Sequence, residues 1–403
     1  MSARSGGRTT LRPTLGDAAG AVADLGVLVP IAVALIVTNG LSPTAVLLPA
    51  GLLYVVVALV YRLPVAVQPL KAVGAIAIAQ GLGADEIAAA ALILGATFVV
   101  LGGTGLIDRM GRAFPRALIR GVQLTVGLLF LKVAWSLVAH PPSSFGDHAL
   151  APEWAIPLGA AVVVLAVLLR SRPIALALVA TGVVVMLVET GGVPSLGPSA
   201  LELPSLSGAT LAAALTALVV PQLPLTFANS CLAPADAART YFGERARRIK
   251  PGRLATTLGS ANLVSGAISG MPVCHGAGGL TAHYAFGART GRAPLAMGCA
   301  LLAVALAFGS GLAVLLTAFP LPILAGLLAT AGLLHIALLR DLRGVREWGL
   351  AVAVGAIGFG WNLAIALAVG LVLWWGPELV LRVGSRRWTS RSSLRFLRQS
   401  GRP

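Results

Sequence analysis

Charge is scarce in this sequence. Only 11% of its 403 residues are Asp, Glu, Lys or Arg, against about 25% in a soluble domain. With 57% hydrophobic residues and a mean hydropathy of +0.90, the chain has the composition of a polytopic membrane protein. Cysteine is rare as well. Cys231, Cys274 and Cys299 have no CxxC spacing, which argues against a disulfide framework or a zinc site. There is no Walker motif, so ATP is not the expected energy source. Neither GxSxG nor HExxH occurs, so hydrolysis has no visible machinery, and no metal or cofactor is expected. No small-residue cleavage site follows a clean apolar run near the start. Residues 1–14, MSARSGGRTTLRPT, therefore read as a cytoplasmic tail rather than a removed signal peptide.

Acidic residues are the scarcer charge, 14 against 30 Lys and Arg, giving a formal net charge of +16. The placement of the basic residues explains this excess. A membrane span needs about 20 mostly apolar residues. Such runs occupy roughly 18–38, 43–61, 85–107, 117–139, 154–170, 173–190, 209–229, 252–270, 294–313, 318–339, 345–358 and 359–381. Two shorter broken segments, 66–81 and 273–287, bring the count to fourteen and fall third and tenth in order. With the N-terminus inside, every loop expected outside, HPPSSFGDHALAPE and GGVPSLGPSALELPSLSG included, is without Lys or Arg. The inside loops and both tails hold all the basic residues except Lys71 and Lys132. This is the positive-inside pattern, and it favours anionic inner-leaflet lipid as a partner rather than nucleic acid. The expected fold class is therefore an all-α polytopic membrane protein in the cytoplasmic (inner) membrane, both termini cytoplasmic. It has about fourteen elements in a 7+7 inverted repeat, and broken half-helices at elements 3 and 10.

The broken segments carry the chemistry. Leu63–Gly81 reads LPVAVQPLKAVGAIAIAQG and Gly270–Pro294 reads GMPVCHGAGGLTAHYAFGARTGRAP. Each has a few extended residues ending in Pro or Gly and then a short helix. Helix N-termini present unbonded N–H groups and partial positive charge, and so bind anions. Two such starts facing each other would cradle a small anion, with Gln68 and Pro69 opposite His275 and Gly276. Backbone amides of Gln68–Lys71 and of His275, Gly276, Ala277, Gly278 and Gly279 would form the cradle, and Lys71 would add a full positive charge. His275 could donate to an oxyanion, titrate and couple transport to protons, or hold the turn together. Asp24, inside the first span, could pair with Lys71 or carry a coupling proton, whereas Asp17 reads as interfacial. In VVPQLPLTFANS, Pro221 and Pro224 are expected to break the eighth span. Gln222 and Thr226 join the site there, with Asn229 on the same face. Lys132 reads as structural or snorkelling to lipid. His140, His148 and His335 read as loop or interface residues. The basic tail SRRWTSRSSLRFLRQSGRP would rest on the inner leaflet.

Four stretches, ADLGVLVPIAVAL, PVAVQPLKAVGAIAIAQG, VVPQLPLTFANS and MPVCHGAGGLTAHYAFGARTG, resemble the molybdate transporter family related to the sulfate permeases. They spread the resemblance over both halves of the membrane region. It departs from the family at Val27, where a threonine is usual. The resemblance implies a fourteen-helix fold shared with sulfate permeases and nucleobase transporters. Within a single transporter unit, 15–383, a core (about 15–115 and 205–315) would move against a gate (about 116–204 and 316–383), often in a homodimer. Residues 384–403 would form a basic cytoplasmic tail, and the resemblance implies a family without the regulatory domain of the sulfate permeases. The implied activity is secondary transport of molybdate, a tetrahedral divalent oxyanion, with sulfate or tungstate as alternative substrates and a passive anion channel as a further alternative.

Overall fold

Long apolar runs punctuated by Gly, Pro and Arg joints give fourteen helices among the described residues. The computed structural model describes Asp17 and residues 25–107, 114–169, 174–192, 195–285 and 287–377. Asp24, Arg109, Arg112, Arg170, Arg172 and both basic tails lie outside the described residues. The first seven helices are α1 (Leu25–Val37), α2 (Pro43–Val60), α3 (Lys71–Gln80), α4 (Ala84–Thr104), α5 (Arg116–Ala139), α6 (Pro152–Leu168) and α7 (Ile174–Glu189). The second seven are α8 (Gly208–Arg248), α9 (Pro251–Ala267), α10 (Ala277–Ala285), α11 (Arg292–Thr317), α12 (Leu321–Ile336), α13 (Gly344–Gly360) and α14 (Leu363–Pro377). Helices α2, α4, α5, α8, α11 and α12 are long and apolar enough to cross a membrane.

Local chemistry sets the ends. Glu86 reaches back to accept the Gly83 N–H at 3.0 Å and opens α4, whose first turn also carries Asp85. The apolar stretch over 345–381 forms two helices because the Asn362 Oδ1 accepts the Ala364 and Ile365 N–H groups at 2.8 and 3.2 Å, starting α14 afresh. Helix α8 departs from expectation. Pro221 and Pro224 do not break it. The chain widens into π-helical turns at Ala214–Val219 and Thr226–Leu232, and the Val220 N–H bonds the Leu215 carbonyl five residues back. A π-turn absorbs the donors that proline lacks without ending the helix. It also removes Asn229 from the regular spacing with Gln222 and Thr226.

The helices pair in a definite pattern. The most extensive contacts join α4 with α9 and α2 with α11, followed by α5 with both α12 and α13, and α6 with α12. The α4–α9 crossing depends on glycine. A Cβ at Gly95 would lie 2.9 Å from the Gly259 carbonyl, and one at Gly259 would lie 2.8 Å from the Gly95 carbonyl. Small residues let the backbones touch, which is how helices associate where lipid is as apolar as the side chains.

Two strands of two residues complete the fold. β1 (Gln68–Pro69) pairs with β2 (Val273–Cys274) antiparallel, Gln68 opposite Cys274 and Pro69 opposite Val273. This pairing differs from the expected facing of Gln68 with His275 and of Pro69 with Gly276. The strands run in opposite directions, so the residues that follow each one diverge instead of lining up.

Candidate functional site

Extended backbone at membrane depth must find partners within the protein. Pro69 and Pro272 bring no N–H of their own, and the two short strands satisfy each other. The Leu70 N–H extends the ladder to the Pro272 carbonyl at 2.9 Å, and Asn262 of α9 clamps Val273 from the side. The Asn262 Oδ1 accepts the Val273 N–H at 2.7 Å, and its Nδ2 donates to the Val273 carbonyl at 2.9 Å. Each strand runs into a helix within one or two residues. The pair is antiparallel, and the N-termini of α3 and α10 lie beside it.

The two helix starts are dressed differently. At α3, the Gln222 Oε1 accepts the N–H groups of Ala72 and Val73 at 3.0 and 3.2 Å. The Gln222 Nε2 donates to the Thr226 Oγ1 at 3.1 Å, and that hydroxyl donates to the Gln222 carbonyl at 3.0 Å. Gln222 is thus a side-chain cap delivered from another helix, and it takes the two amides that follow the Gln68–Lys71 stretch expected in the cradle. Lys71, partly exposed, donates to the Gln68 Oε1 at 2.6 Å. At α10, no hydrogen bond among the described residues reaches the amides of Ala277, Gly278 or Gly279. Ala277 is half-buried, Gly278 is exposed, and a Cβ at Gly278 would meet open space. The charge of Lys71 and the uncapped amides of α10 are what this site presents to an anion.

His275 is fully buried and turned away from that opening. Its Nδ1 lies 3.2 Å from the Ala66 carbonyl, which can only accept, so Nδ1 carries the hydrogen. Its Nε2 then accepts the Thr257 hydroxyl at 2.9 Å, and Thr257 accepts from the Tyr61 hydroxyl at 2.8 Å. The Tyr61 ring stands edge-on to the imidazole at 6.2 Å. Both ring nitrogens are therefore engaged by the protein.

Gly276 makes the close fit possible. A Cβ there would fall on the amide of Gln68. Gln68, Pro69, Gln222, Thr226, His275 and Gly276 are buried together around the strand pair, while Lys71, Ala277 and Gly278 reach its accessible side. Sequence reasoning missed Asn262, Thr257 and Tyr61. The signal for Asn262 was present, a lone amide in the apolar run LATTLGSANLVSGA. Of three further residues, His335 alone sits elsewhere than expected, inside a helix rather than in a loop. Asp17 is buried, and its carboxylate accepts the backbone N–H groups of Arg289 and Thr290 at 3.1 and 3.2 Å, because those loop amides need an acceptor. His335 is buried within α12, donating Nδ1–H to the Ala331 carbonyl at 2.9 Å, with Phe130 edge-on. Lys132 lines a cavity of about 160 Å³ with Thr38, Ile78 and Ser136, where α5 meets the ends of α1 and α3.

Comparison with known proteins agrees with this architecture. Residues 16–130 and 214–334 match the family described as "Molybdate transporter of MFS superfamily". Molybdate transporter 1 of Arabidopsis thaliana is 29% identical over 411 residues, covering 90% of this chain and 89% of that protein. Molybdate transporter 2 of the same plant is 27% identical, covering 90% and 87%. Among solved structures, the transmembrane domain of the cyanobacterial bicarbonate transporter BicA aligns at a TM-score of 0.62 and 17% identity, covering 90% of this chain and 97% of that one. Murine Slc26a9, an anion transporter solved in its inward-facing state, aligns at 0.64 and 15%, covering 93% and 69%. At those identities the likeness establishes a shared fold. The chain is an integral membrane protein whose relatives are transporters and not enzymes. With the matched residues making up more than half of its length, it belongs to the molybdate transporter family.

Proposed function

We propose that this protein is a secondary active transporter that carries molybdate across the cytoplasmic membrane by alternating access. The observation that carries the reading is the antiparallel strand pair that sets the starts of α3 and α10 side by side, Lys71 at one start and, among the described residues, amides without a hydrogen-bond partner at the other. A doubly charged oxyanion would sit on the amides of Ala277, Gly278 and Gly279 with the Lys71 ammonium opposite, since both complement negative charge in a poorly solvated site. Gln68 positions Lys71. Gln222 and Thr226 hold the start of α3, and His275 ties the β2–α10 turn to α2 and α9. Asp24 remains the candidate carrier of a coupling proton.

The helix pairing supports a 7+7 inverted repeat. Advancing each helix by seven positions turns the α4–α9 pair into α11–α2, turns α5–α13 into α12–α6, and leaves α5–α12 and the β1–β2 strand pair as they are. A twofold axis in the membrane plane would produce this pattern, with the strand pair on the axis. The same contacts support a core containing α2, α4, α9 and α11 and a gate containing α5, α6, α12 and α13. We take both termini to be cytoplasmic from the arginine distribution, and a homodimer as the assembly.

Sulfate or tungstate transport by the same site is the second reading, since both are tetrahedral dianions that the same amides and ammonium would hold. Uptake of molybdate into proteoliposomes, with tungstate and sulfate as competitors at two pH values, separates them. Molybdate uptake that resists excess sulfate supports the proposal, and sulfate competing as well as molybdate overturns the substrate assignment. Uptake linear in concentration, without counterflow, would mark a passive channel.

A further inference from the structure

A cavity of about 800 Å³ opens at the ends of α2, α8 and α11 and is lined by Arg62, Arg245, Arg247, Arg248 and Arg292. Its lining also includes two carboxylates, Asp17 and Glu244, leaving a net charge of +3. The Asp17 carboxylate accepts the N–H groups of Arg289 and Thr290 and the Thr290 hydroxyl. Among the described residues no carboxylate lies within salt-bridge distance of Arg62, Arg245, Arg247 or Arg248. The Arg245 guanidinium donates to the Arg289 carbonyl at 2.8 Å, and that of Arg248 to the Val60 carbonyl at 3.5 Å. Arg62 sits at φ 57, a left-handed conformation costly for a side-chain-bearing residue, and the Gly291 N–H fixes it there by donating to its carbonyl at 3.1 Å. Leu59, 63% exposed, and Leu295, 37% exposed, form an apolar flank on the same cavity.

We infer that this cavity binds a phosphate-bearing anionic lipid headgroup, with the acyl chains against Leu59 and Leu295. Clustered guanidiniums with fixed forks favour phosphate oxygens, which they grip bidentately. The apolar flank favours a lipid over a free phosphate, since a soluble ion gains nothing from Leu59. Basic pockets between helices on the inner face are where such headgroups lodge, and the arginine distribution makes this end the inner one. The chain's own tails are poor occupants. Residues 1–16 carry three arginines and no acid, and residues 378–403 carry seven arginines and one acid.

The test uses the full chain in phosphatidylcholine nanodiscs doped with phosphatidylglycerol, read by native mass spectrometry. Wild type should retain a phosphatidylglycerol that the paired substitution Arg62→Gln, Arg247→Gln retains about thirtyfold more weakly. Inorganic phosphate or molybdate at millimolar concentration should leave it bound. Equal retention by the variant overturns the inference. Displacement by phosphate reassigns the cavity to a soluble anion and overturns the lipid, and displacement by molybdate makes it part of the substrate path and overturns the inference. Should the variant fail to fold, the wild type decides. Phosphatidylglycerol must raise its melting temperature above that in pure phosphatidylcholine, and an unchanged melting temperature contradicts the inference. None of these readouts requires transport, so the transport reading stands or falls separately.

Discussion

Gln68 and Gly276 share one space: a Cβ added to Gly276 would land on the Gln68 side-chain amide, and that amide holds the Lys71 ammonium. Gly276→Ala should therefore push Gln68 off its bond and release Lys71 from its position. We expect molybdate uptake to fall at least about tenfold, with a stability loss of about 1–3 kcal/mol from overpacking. Gly278→Ala meets no protein atom and should leave the melting temperature unchanged. Equal thermal shifts for the two variants would contradict this account.

The sequence showed where helices would form and that the chain is a membrane protein, because apolar length is a one-dimensional signal. Helix count, the two short segments at 66–81 and 273–287, and the interest of Lys71 and Gln222 were legible on that ground. The partner of Gln222 was not. Its amide oxygen caps α3, about 150 residues away in sequence, and no local pattern encodes that meeting. His275 was legible as unusual, with holding the turn among its readings, but its partners Ala66 and Thr257 were not legible. Two prolines in α8 read as a break. The structure answers them with π-turns, since a lost N–H can be absorbed by a wider turn as well as by an end.

Gln222→Ala strips the cap from α3 and leaves the Ala72 and Val73 N–H groups without their acceptor. A melting loss of about 1–3 kcal/mol follows from the orphaned donors. Gln222→Glu keeps an acceptor but adds negative charge beside Lys71. Its stability should be closer to wild type, while its KM for molybdate rises several-fold. A Glu variant with unaltered KM would show that this helix start is remote from the anion.

Asn262→Leu removes both bonds to Val273 and leaves a buried N–H and carbonyl unpaired. The expected cost is about 1–3 kcal/mol for each group left unsatisfied. Thermal unfolding in detergent measures it directly, and a variant as stable as wild type would mean the strand pair needs no clamp.

At the end of α12, Arg120 donates to both carboxylate oxygens of Asp341, with Nε to Oδ1 at 2.9 Å. This bond, aided by the Arg116 charge, holds the Asp341 carboxyl below its usual value. A lowered folded value adds stability that is present above the ordinary carboxylate range and is lost as pH falls through the folded value. The melting temperature should therefore decline as pH drops below about 4, and less steeply in Arg120→Ala. Asp341 is 43% exposed, so the contribution is within about 1 kcal/mol after solvent screening.

The most direct test is counterflow of labelled molybdate in proteoliposomes preloaded with unlabelled molybdate, comparing wild type with Lys71→Gln. An anion site between the starts of α3 and α10 predicts saturable counterflow in wild type and at least a tenfold rise in the half-saturating concentration, or loss of exchange, when the ammonium is removed. Wild-type exchange no faster than in protein-free vesicles, or a Lys71→Gln protein exchanging like wild type, would contradict it.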